Sequence, residues 1–166
     1  LNNLGDAVIK NSLISKNKMI YASYLAGKAI NVSKTTGAHA ISYYLTSKFN
    51  IPHGQAVALT LPLWFEYNTN ASEESLNDIR GIKYLKKTML KLGELVKYKK
   101  CKYPKECLKL FIEDIGLETK LSRLNVSEMH IQDIVENTNL ERIKNNPFSI
   151  TKNQLFEFLK NILWKL

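Results

Sequence analysis

Apolar residues recur at steps of three and four along most of the chain, which is the spacing that lines one face of an α-helix. Leu85, Met89, Leu92 and Val96 form one such series, with lysines at several of the positions between them. No alternation of apolar and polar residues continues far enough to predict a strand. The pattern therefore predicts an all-α helical bundle with helices near residues 4–13, 19–30, 37–47, 52–66, 79–96, 104–115, 129–135 and 151–162.

Polar residues and prolines mark where several of these helices begin and end. Ser15 and Asn17 are predicted to cap the second helix, because their side chains can accept hydrogen bonds from the free N–H groups of a first turn. The polar stretch 31–37 predicts a loop. Pro52 predicts the start of the fourth helix, since proline is tolerated in a first turn, and Asn145-Asn146-Pro147 predicts a stop before the closing helix.

Length, charge and cysteine content narrow the class of protein. A chain of 166 residues fits one helical domain spanning residues 1–166, and no apolar run approaches the roughly 18 residues needed to cross a membrane. The net charge is +9, and many lysines lie between Lys83 and Lys105. Their helical spacing and the scarcity of arginine favour a solvated face over a nucleic-acid surface. Cys101 and Cys107 do not suggest a disulfide framework, which favours a cytoplasmic protein with reduced thiols.

Two histidines offer the clearest candidate chemistry. His39 and His53 are predicted in the first turns of consecutive helices, because Pro52 prevents one continuous helix from carrying both. An antiparallel helix pair could bring the two imidazoles to one metal ion. Two histidines make only part of a catalytic metal site. Asp6 and Glu66 are possible third ligands, but nothing in their spacing distinguishes them from other acidic residues. Spacing alone leaves open a purely structural role for both histidines.

The residues around the histidines resemble a known family. Ala26-Gly27-Lys28-Ala29-Ile30, then His39-Ala40, then Pro52-His53-Gly54-Gln55-Ala56 resemble the hallmark segment of the group III, iron-dependent alcohol dehydrogenases. Leu61-Pro62 and the Asn145-Asn146-Pro147 segment extend the resemblance over essentially the whole chain. It implies the C-terminal helical domain of these enzymes, which is of the dehydroquinate synthase-like type.

The resemblance also implies cofactors and partners. His39 and His53 match two of the family's four ligands to Fe²⁺ or Zn²⁺. The other two, an aspartate and a histidine, are expected on a helix upstream of Leu1, together with the dinucleotide-binding domain that takes NAD(P)H. This chain alone is therefore expected to be inactive and to need that N-terminal domain as its partner. The resemblance leaves open whether the protein forms a homodimer.

Four further positions acquire roles through the resemblance. Tyr43 stands where the family commonly has a histidine near the nicotinamide, so it becomes a candidate catalytic residue that could form a hydrogen bond instead. The loop Lys34-Thr35-Thr36 resembles the subgroup that reduces phosphonoacetaldehyde. Lys34, Thr35 and Thr36 are thus candidate substrate-binding residues for an anionic group. A solvated loop lysine is the alternative interpretation of Lys34.

The function implied is that of a metal- and nicotinamide-dependent alcohol dehydrogenase or aldehyde reductase acting on a small alcohol or aldehyde. The alternatives are a glycerol dehydrogenase or dehydroquinate synthase relative, and a small basic helical binding module without catalysis. Two structural expectations follow. The rings of His39 and His53 should lie within about 10 Å of each other if both bind one ion. The cleft side should expose apolar residues that another domain would cover, namely Ala26, Ile30, Ala38, Tyr43 and Ile51.

Overall fold

The computed structural model describes residues 3–164, and this part of the chain is helical. The described residues form no β-strand, and their sole sheet-like pairing is an isolated bridge between Leu76 and Phe148. Short 3-10 turns lie at Glu73–Ser75 and Leu121–Leu124. The predicted all-α fold is confirmed. The helices are α1 Leu4–Val8, α2 Leu13–Val32, α3 Gly37–Phe49, α4 His53–Asn70, α5 Gly81–Leu95, α6 Pro104–Asp114, α7 Met129–Asn137, α8 Leu140–Ile143 and α9 Lys152–Trp164.

Helices α3 and α4 form the hairpin on which the site is built. Asn50 ends α3 in the left-handed region with φ 54°, a conformation that asparagine adopts more readily than most residues. Pro52 then stands immediately before α4. At the other end of the hairpin, Gly37 lies directly against the indole of Trp64, and a Cβ on Gly37 would overlap that ring. The absence of a side chain at Gly37 therefore permits the two helices to approach closely.

The hydrophobic core lies where the α3–α4 hairpin meets α7, α9 and the turn at Leu121–Leu124. Its members come from one face of each amphipathic helix, as the periodicity predicts. Burying such side chains stabilises the fold by roughly 1.5–3 kcal/mol for each large aliphatic or aromatic group. The largest fully buried side chains of this cluster are Ile41, Leu45, Leu59, Leu121, Ile131, Ile134, Leu155, Leu159, Ile162 and Leu163.

A pair of asparagines joins the segment after α8 to the hairpin. The amide of Asn146 donates to Asn68 Oδ1 at 2.8 Å, and the amide of Asn68 donates back to Asn146 Oδ1 at 3.2 Å. Asn146 also donates to the carbonyl of Phe148 at 2.9 Å. Because Asn146 is buried, these bonds satisfy a polar group that would otherwise be costly to bury. The predicted stop at 145–147 thus carries a structural contact between distant parts of the chain.

Helix α2 differs from the prediction at its start and in its surroundings. It is capped by Ser12, whose hydroxyl accepts from the Ser15 N–H at 3.3 Å, so the prediction of Ser15 or Asn17 as caps is wrong. The structural reason is that α1 ends at Val8, which leaves room for α2 to begin one turn earlier. Of the residues of this fully described helix, Ser15 alone is buried. Helix α2 therefore presents apolar side chains to solvent: Leu13, Ile14, Ile20, Tyr21, Tyr24, Leu25, Ile30 and Val32.

The lysine-rich segment forms a solvated surface. On α5, Leu85 and Met89 face inward, while Lys83, Lys86 and Lys87 are exposed. This arrangement agrees with the amphipathic pattern of the sequence. Within residues 3–164, every helix is either too short or too polar to traverse a lipid bilayer.

Replacing Gly37 by alanine tests whether the close approach of α3 to α4 limits stability. The new methyl group would overlap the rigid, buried indole of Trp64, so Gly37→Ala should lower the free energy of unfolding by about 1–3 kcal/mol. Gly27→Ala is the matched control, because a Cβ there meets open space on α2 and should stabilise that helix by about 0.5–1 kcal/mol. Urea denaturation followed by circular dichroism measures both. Equal effects of the two substitutions would contradict the packing account.

Candidate metal centre

The α3–α4 hairpin brings the two candidate histidines together. His39 lies in the first turn of α3, where its N–H donates to the Thr36 carbonyl at 3.1 Å, and His53 is the first residue of α4. Their ring centroids are 5.6 Å apart, with an angle of 59° between the ring planes. The expected proximity of the two rings on consecutive helices is therefore confirmed. His39 is half-buried and His53 is exposed, so the pair is open to solvent on one side.

Ser42 gives His53 a defined orientation. Its hydroxyl donates to the carbonyl of His39 at 2.9 Å, and the same oxygen lies 3.4 Å from His53 Nδ1. With its proton donated to the carbonyl, this oxygen can accept from an N–H at Nδ1. That arrangement selects the tautomer of His53 with its lone pair on Nε2, the form of imidazole that can coordinate a metal through that nitrogen. Ser42 is buried, which favours a stable geometry for these bonds.

Tyr43 lies between His53 and an arginine from α8. Its ring centroid is 5.6 Å from that of His53, and the guanidinium carbon of Arg142 lies 4.6 Å from the Tyr43 centroid. Arg142 Nη1 also donates to the Tyr43 hydroxyl oxygen at 3.1 Å. Since Arg142 donates in this bond, the hydroxyl proton of Tyr43 remains available to donate to another group.

These side chains surround one cavity of about 740 Å³. Of the candidate substrate-binding residues, Lys34 and Thr35 line it, whereas Thr36 does not. Thr36 instead occupies the position before α3, where its carbonyl accepts from the N–H groups of the first turn, and it borders a neighbouring depression. The lining of the cavity consists of Ile30, Lys34, Thr35, His39, Tyr43, His53, Asn139, Glu141, Arg142 and Asn145.

Hydrogen bonds fix the two loops that border this cavity. The amide of Asn145 donates to the carbonyl of Thr35 at 3.2 Å and so joins the loop before α3 to the segment after α8. Asn139 Oδ1 accepts from the backbone N–H of Arg142 at 3.1 Å, which caps α8. The backbone that carries Arg142 is therefore held from both ends of its short helix.

The described residues bring two candidate metal ligands together and include no cluster of three. Within residues 3–164, no group of three or more His, Cys, Asp or Glu side chains is arranged to hold an ion. Asp6 forms an ion pair with Lys10 at 2.9 Å, and Glu66 forms one with Lys105 at 2.8 Å. Neither carboxylate lines the cavity, so the structure does not support Asp6 or Glu66 as a third ligand. Two imidazoles, one of them in contact with the Ser42 hydroxyl, fit the donor set of half a transition-metal site.

The electrostatic environment keeps His39 neutral more readily than an ordinary histidine. Burial is the largest cause that lowers the pKa of His39, and the charges of protonated His53 and of Arg142 lower it further. A neutral imidazole is the form that coordinates a metal. The neighbourhood of His39 thus favours the protonation state that metal binding requires.

The expected apolar cleft surface is present in part. Ala26, Ile30 and Tyr43 are exposed, as predicted. The same prediction is wrong for Ala38 and Ile51, which are buried in the core. Ala38 follows Gly37 into the interface with α4, and Ile51 packs within the short connection between the two helices.

Sequence reasoning did not identify Ser42, Arg142 or Asn145 as parts of this site. Ser42 lies one helical turn after His39, a spacing that could have suggested a contact on the same face. Arg142 and Asn145 are far away in sequence, and the stop at 145–147 predicted only that a helix ends there. Their place in the cavity depends on how α8 packs against α3.

Comparison with known proteins shows the family to which this chain is related. The model of the Fe-containing alcohol dehydrogenase family, C-terminal, matches residues 1–163. The chain belongs to the Fe-containing alcohol dehydrogenase family. This membership favours the dehydrogenase interpretation over a non-catalytic basic binding module.

Curated relatives from this family are oxidoreductases of greater length. The 1,3-propanediol dehydrogenase of Citrobacter freundii is 38% identical over 78 residues, which is 46% of this chain and 20% of that protein. The phosphonoacetaldehyde reductase of Streptomyces viridochromogenes is 32% identical over 68 residues, which is 41% of this chain and 17% of that protein. The matched segments therefore cover about a fifth of each relative.

A solved structure from the family has the same fold. The sulfoacetaldehyde reductase from Bifidobacterium kashiwanohense, solved in complex with NAD+, superimposes with a TM-score of 0.75 at 27% identity. The alignment covers 98% of this chain and 40% of that chain. The all-α architecture described above is therefore the one that this family uses in its C-terminal part.

The lowered pKa of His39 has a measurable consequence for the metal-free protein. Folding lowers this pKa below the ordinary value of 6.5, so the folded state binds a proton at His39 less readily than the unfolded chain. This contribution should reduce the free energy of unfolding as the pH falls below 6.5, until His39 is protonated in both states. Arg142→Ala removes one cause and should raise the pKa of His39, whereas Arg123→Ala should not. An NMR titration in which both variants behave alike would contradict the assignment.

Proposed function

We propose that this chain is the helical, metal-binding part of a nicotinamide-dependent alcohol dehydrogenase or aldehyde reductase that acts on a small anionic aldehyde. The observation that carries the proposal is the juxtaposition of the His39 and His53 rings, with centroids 5.6 Å apart, in a chain of the Fe-containing alcohol dehydrogenase family. A glycerol dehydrogenase or dehydroquinate synthase relative was the closest alternative, and the family match favours the iron-containing alcohol dehydrogenases instead.

His39 and His53 would hold an Fe²⁺ or Zn²⁺ ion on the floor of the cavity, with further ligands from a preceding segment of the full-length protein. An ion bound there would act as a Lewis acid toward the oxygen of the substrate. Ser42 would orient His53 for this role through its hydroxyl, and burial would keep His39 neutral. Tyr43 would donate a hydrogen bond into the cavity, because its oxygen already accepts from Arg142.

A dinucleotide-binding domain would supply NAD(P)H from the other side of the cavity. Two facts support this part of the proposal. The solved sulfoacetaldehyde reductase is in complex with NAD+, and this chain covers 40% of its length. The apolar residues exposed along α2, including Ile30 at the edge of the cavity, are also consistent with a covering partner. The isolated helical part would then be inactive, because it lacks the hydride donor.

The preference for an anionic substrate rests on the charge of the cavity. Lys34 lines the cavity beside Thr35, in the loop that precedes the first turn of α3. A charge-assisted hydrogen bond to such a group contributes roughly 1.5–3 kcal/mol. Two family members named above reduce phosphonoacetaldehyde and sulfoacetaldehyde, which are small anionic aldehydes.

Histidine variants of the full-length protein test the proposed function. His39→Ala and His53→Ala should each lower the metal content to well below one ion per chain and abolish aldehyde-dependent oxidation of NAD(P)H. His130→Asn is the matched control, because His130 lies on α7 and accepts a hydrogen bond from the Ser127 N–H at 3.1 Å, outside the cavity. Elemental analysis and an absorbance assay measure the two effects. Full metal content in His39→Ala and His53→Ala would refute the proposed site.

Ser42→Ala tests whether the contact between Ser42 Oγ and His53 Nδ1 contributes to metal binding. Loss of a partner that orients a ligating histidine typically weakens metal affinity about 10- to 100-fold. Ser47→Ala is the control, since Ser47 also donates to a carbonyl one turn earlier on α3, at 3.3 Å, but does not contact a histidine. Competition with a chelator measures the affinity in the full-length protein. An unchanged metal affinity in Ser42→Ala would show that Ser42 does not contribute to metal binding.

A further inference from the structure

We infer that Arg142 is a specificity-determining residue that binds the anionic group of the substrate in the cavity beside His39 and His53. The inference rests on the proposed function and extends it to α8, to which no sequence motif assigned a role. The ligand class is a small aldehyde that carries a phosphonate, sulfonate or carboxylate a short distance from its carbonyl. Arg142 would complement Lys34, which approaches the same cavity from the loop before α3.

The first observation is that Arg142 has no carboxylate partner. The chain has three arginines, and two of them pair with acids: Arg80 with Asp78 at 2.6 Å and Arg123 with Glu118 at 3.5 Å. Within residues 3–164, the guanidinium of Arg142 forms no ion pair, and its one hydrogen bond goes to the Tyr43 hydroxyl. A guanidinium carries five N–H donors, so most of them are free to meet a ligand.

The second observation concerns the charge of the cavity lining. Among the lining residues, all of which lie in the described part of the chain, Glu141 is the single acidic side chain. Glu141 pairs with Lys144 at 2.6 Å, so its charge is offset by a neighbour on its own segment. Lys34 and Arg142 therefore leave the cavity with an excess of positive charge, which would concentrate anions there.

The third observation is that Arg142 is held in place before any ligand arrives. Its guanidinium stacks over the Tyr43 ring at 4.6 Å and donates to the hydroxyl of that ring at 3.1 Å. Its backbone N–H is capped by Asn139, and Asn145 fixes the following segment to the loop at Thr35. Ordering a long side chain in advance reduces the entropy lost on binding.

The fourth observation is the position of Arg142 relative to the histidines. The Tyr43 ring lies close both to the ring of His53 and to the guanidinium of Arg142. One aromatic ring therefore separates the guanidinium from the candidate metal centre. An aldehyde whose oxygen lies near His39 and His53 could therefore direct a second functional group toward Arg142. A planar guanidinium suits the oxygens of a phosphonate, sulfonate or carboxylate, because it can donate two parallel hydrogen bonds.

Binding of methylphosphonate to the full-length, metal-loaded protein tests the anion site without requiring turnover. Isothermal titration calorimetry should show binding to the wild type and about tenfold weaker binding to Arg142→Ala, with Arg142→Lys intermediate because it keeps the charge but loses the planar fork. Arg123→Ala is the matched control and should bind as the wild type does. Equal affinity of the wild type and Arg142→Ala, or no binding to the wild type, would overturn the inference.

Steady-state kinetics separate this inference from the proposed function. Arg142→Ala should lower kcat/KM for phosphonoacetaldehyde about tenfold more than it lowers kcat/KM for the neutral propanal, with most of that difference in KM, whereas Arg123→Ala should leave the ratio of the two unchanged. An equal effect on the two aldehydes, or no effect on either, would overturn the assignment of Arg142 while leaving the dehydrogenase function intact. A wild type that oxidises NAD(P)H with neither aldehyde would refute the proposed function, and the methylphosphonate titration would then decide on Arg142 alone.

Discussion

The contact between Gly37 and Trp64 determines how the rest of the site is arranged. A side chain at Gly37 would overlap the indole, so α3 can approach α4 this closely because position 37 carries none. His39 follows two residues later on α3, and His53 begins α4. The separation of the two rings is therefore set by packing in the core and not by the loops around the cavity. A rigid scaffold of this kind is what a metal centre requires, because ligand positions must be held within a fraction of an ångström.

The same hairpin divides the domain into a closed side and an open side. On the closed side, α7, α9 and the turn at Leu121–Leu124 bury the large aliphatic residues. On the open side lie the histidines, the cations of the cavity and the exposed apolar face of α2. Polar groups at an open cavity act weakly in water, and they gain strength when another domain excludes the solvent. The arrangement is thus suited to chemistry that takes place between two domains.

The sequence predicted the helices and the proximity of the histidines because both depend on local signals. Helical periodicity identifies the buried faces, and Pro52 separates the two helices that carry His39 and His53. The cap of α2 was placed too late because several adjacent polar residues could serve, and only the end of α1 decides among them. Arg142 could not be found in this way, since its contact with Tyr43 spans 99 positions and depends on the packing of α8. Ala38 and Ile51 were assigned to the wrong side because small and aliphatic residues suit a core and a covered surface equally well.

The central claim is that His39 and His53 bind the same ion. X-ray diffraction from crystals of the full-length, metal-loaded protein, recorded on both sides of the metal absorption edge, tests it most directly. The account predicts one anomalous peak bonded to a ring nitrogen of each histidine, at about 2.0–2.1 Å if the ion is zinc. For His53 the bonded nitrogen should be Nε2, with Nδ1 facing Ser42. A peak bonded to only one of the two histidines, or located elsewhere in the protein, would contradict the account.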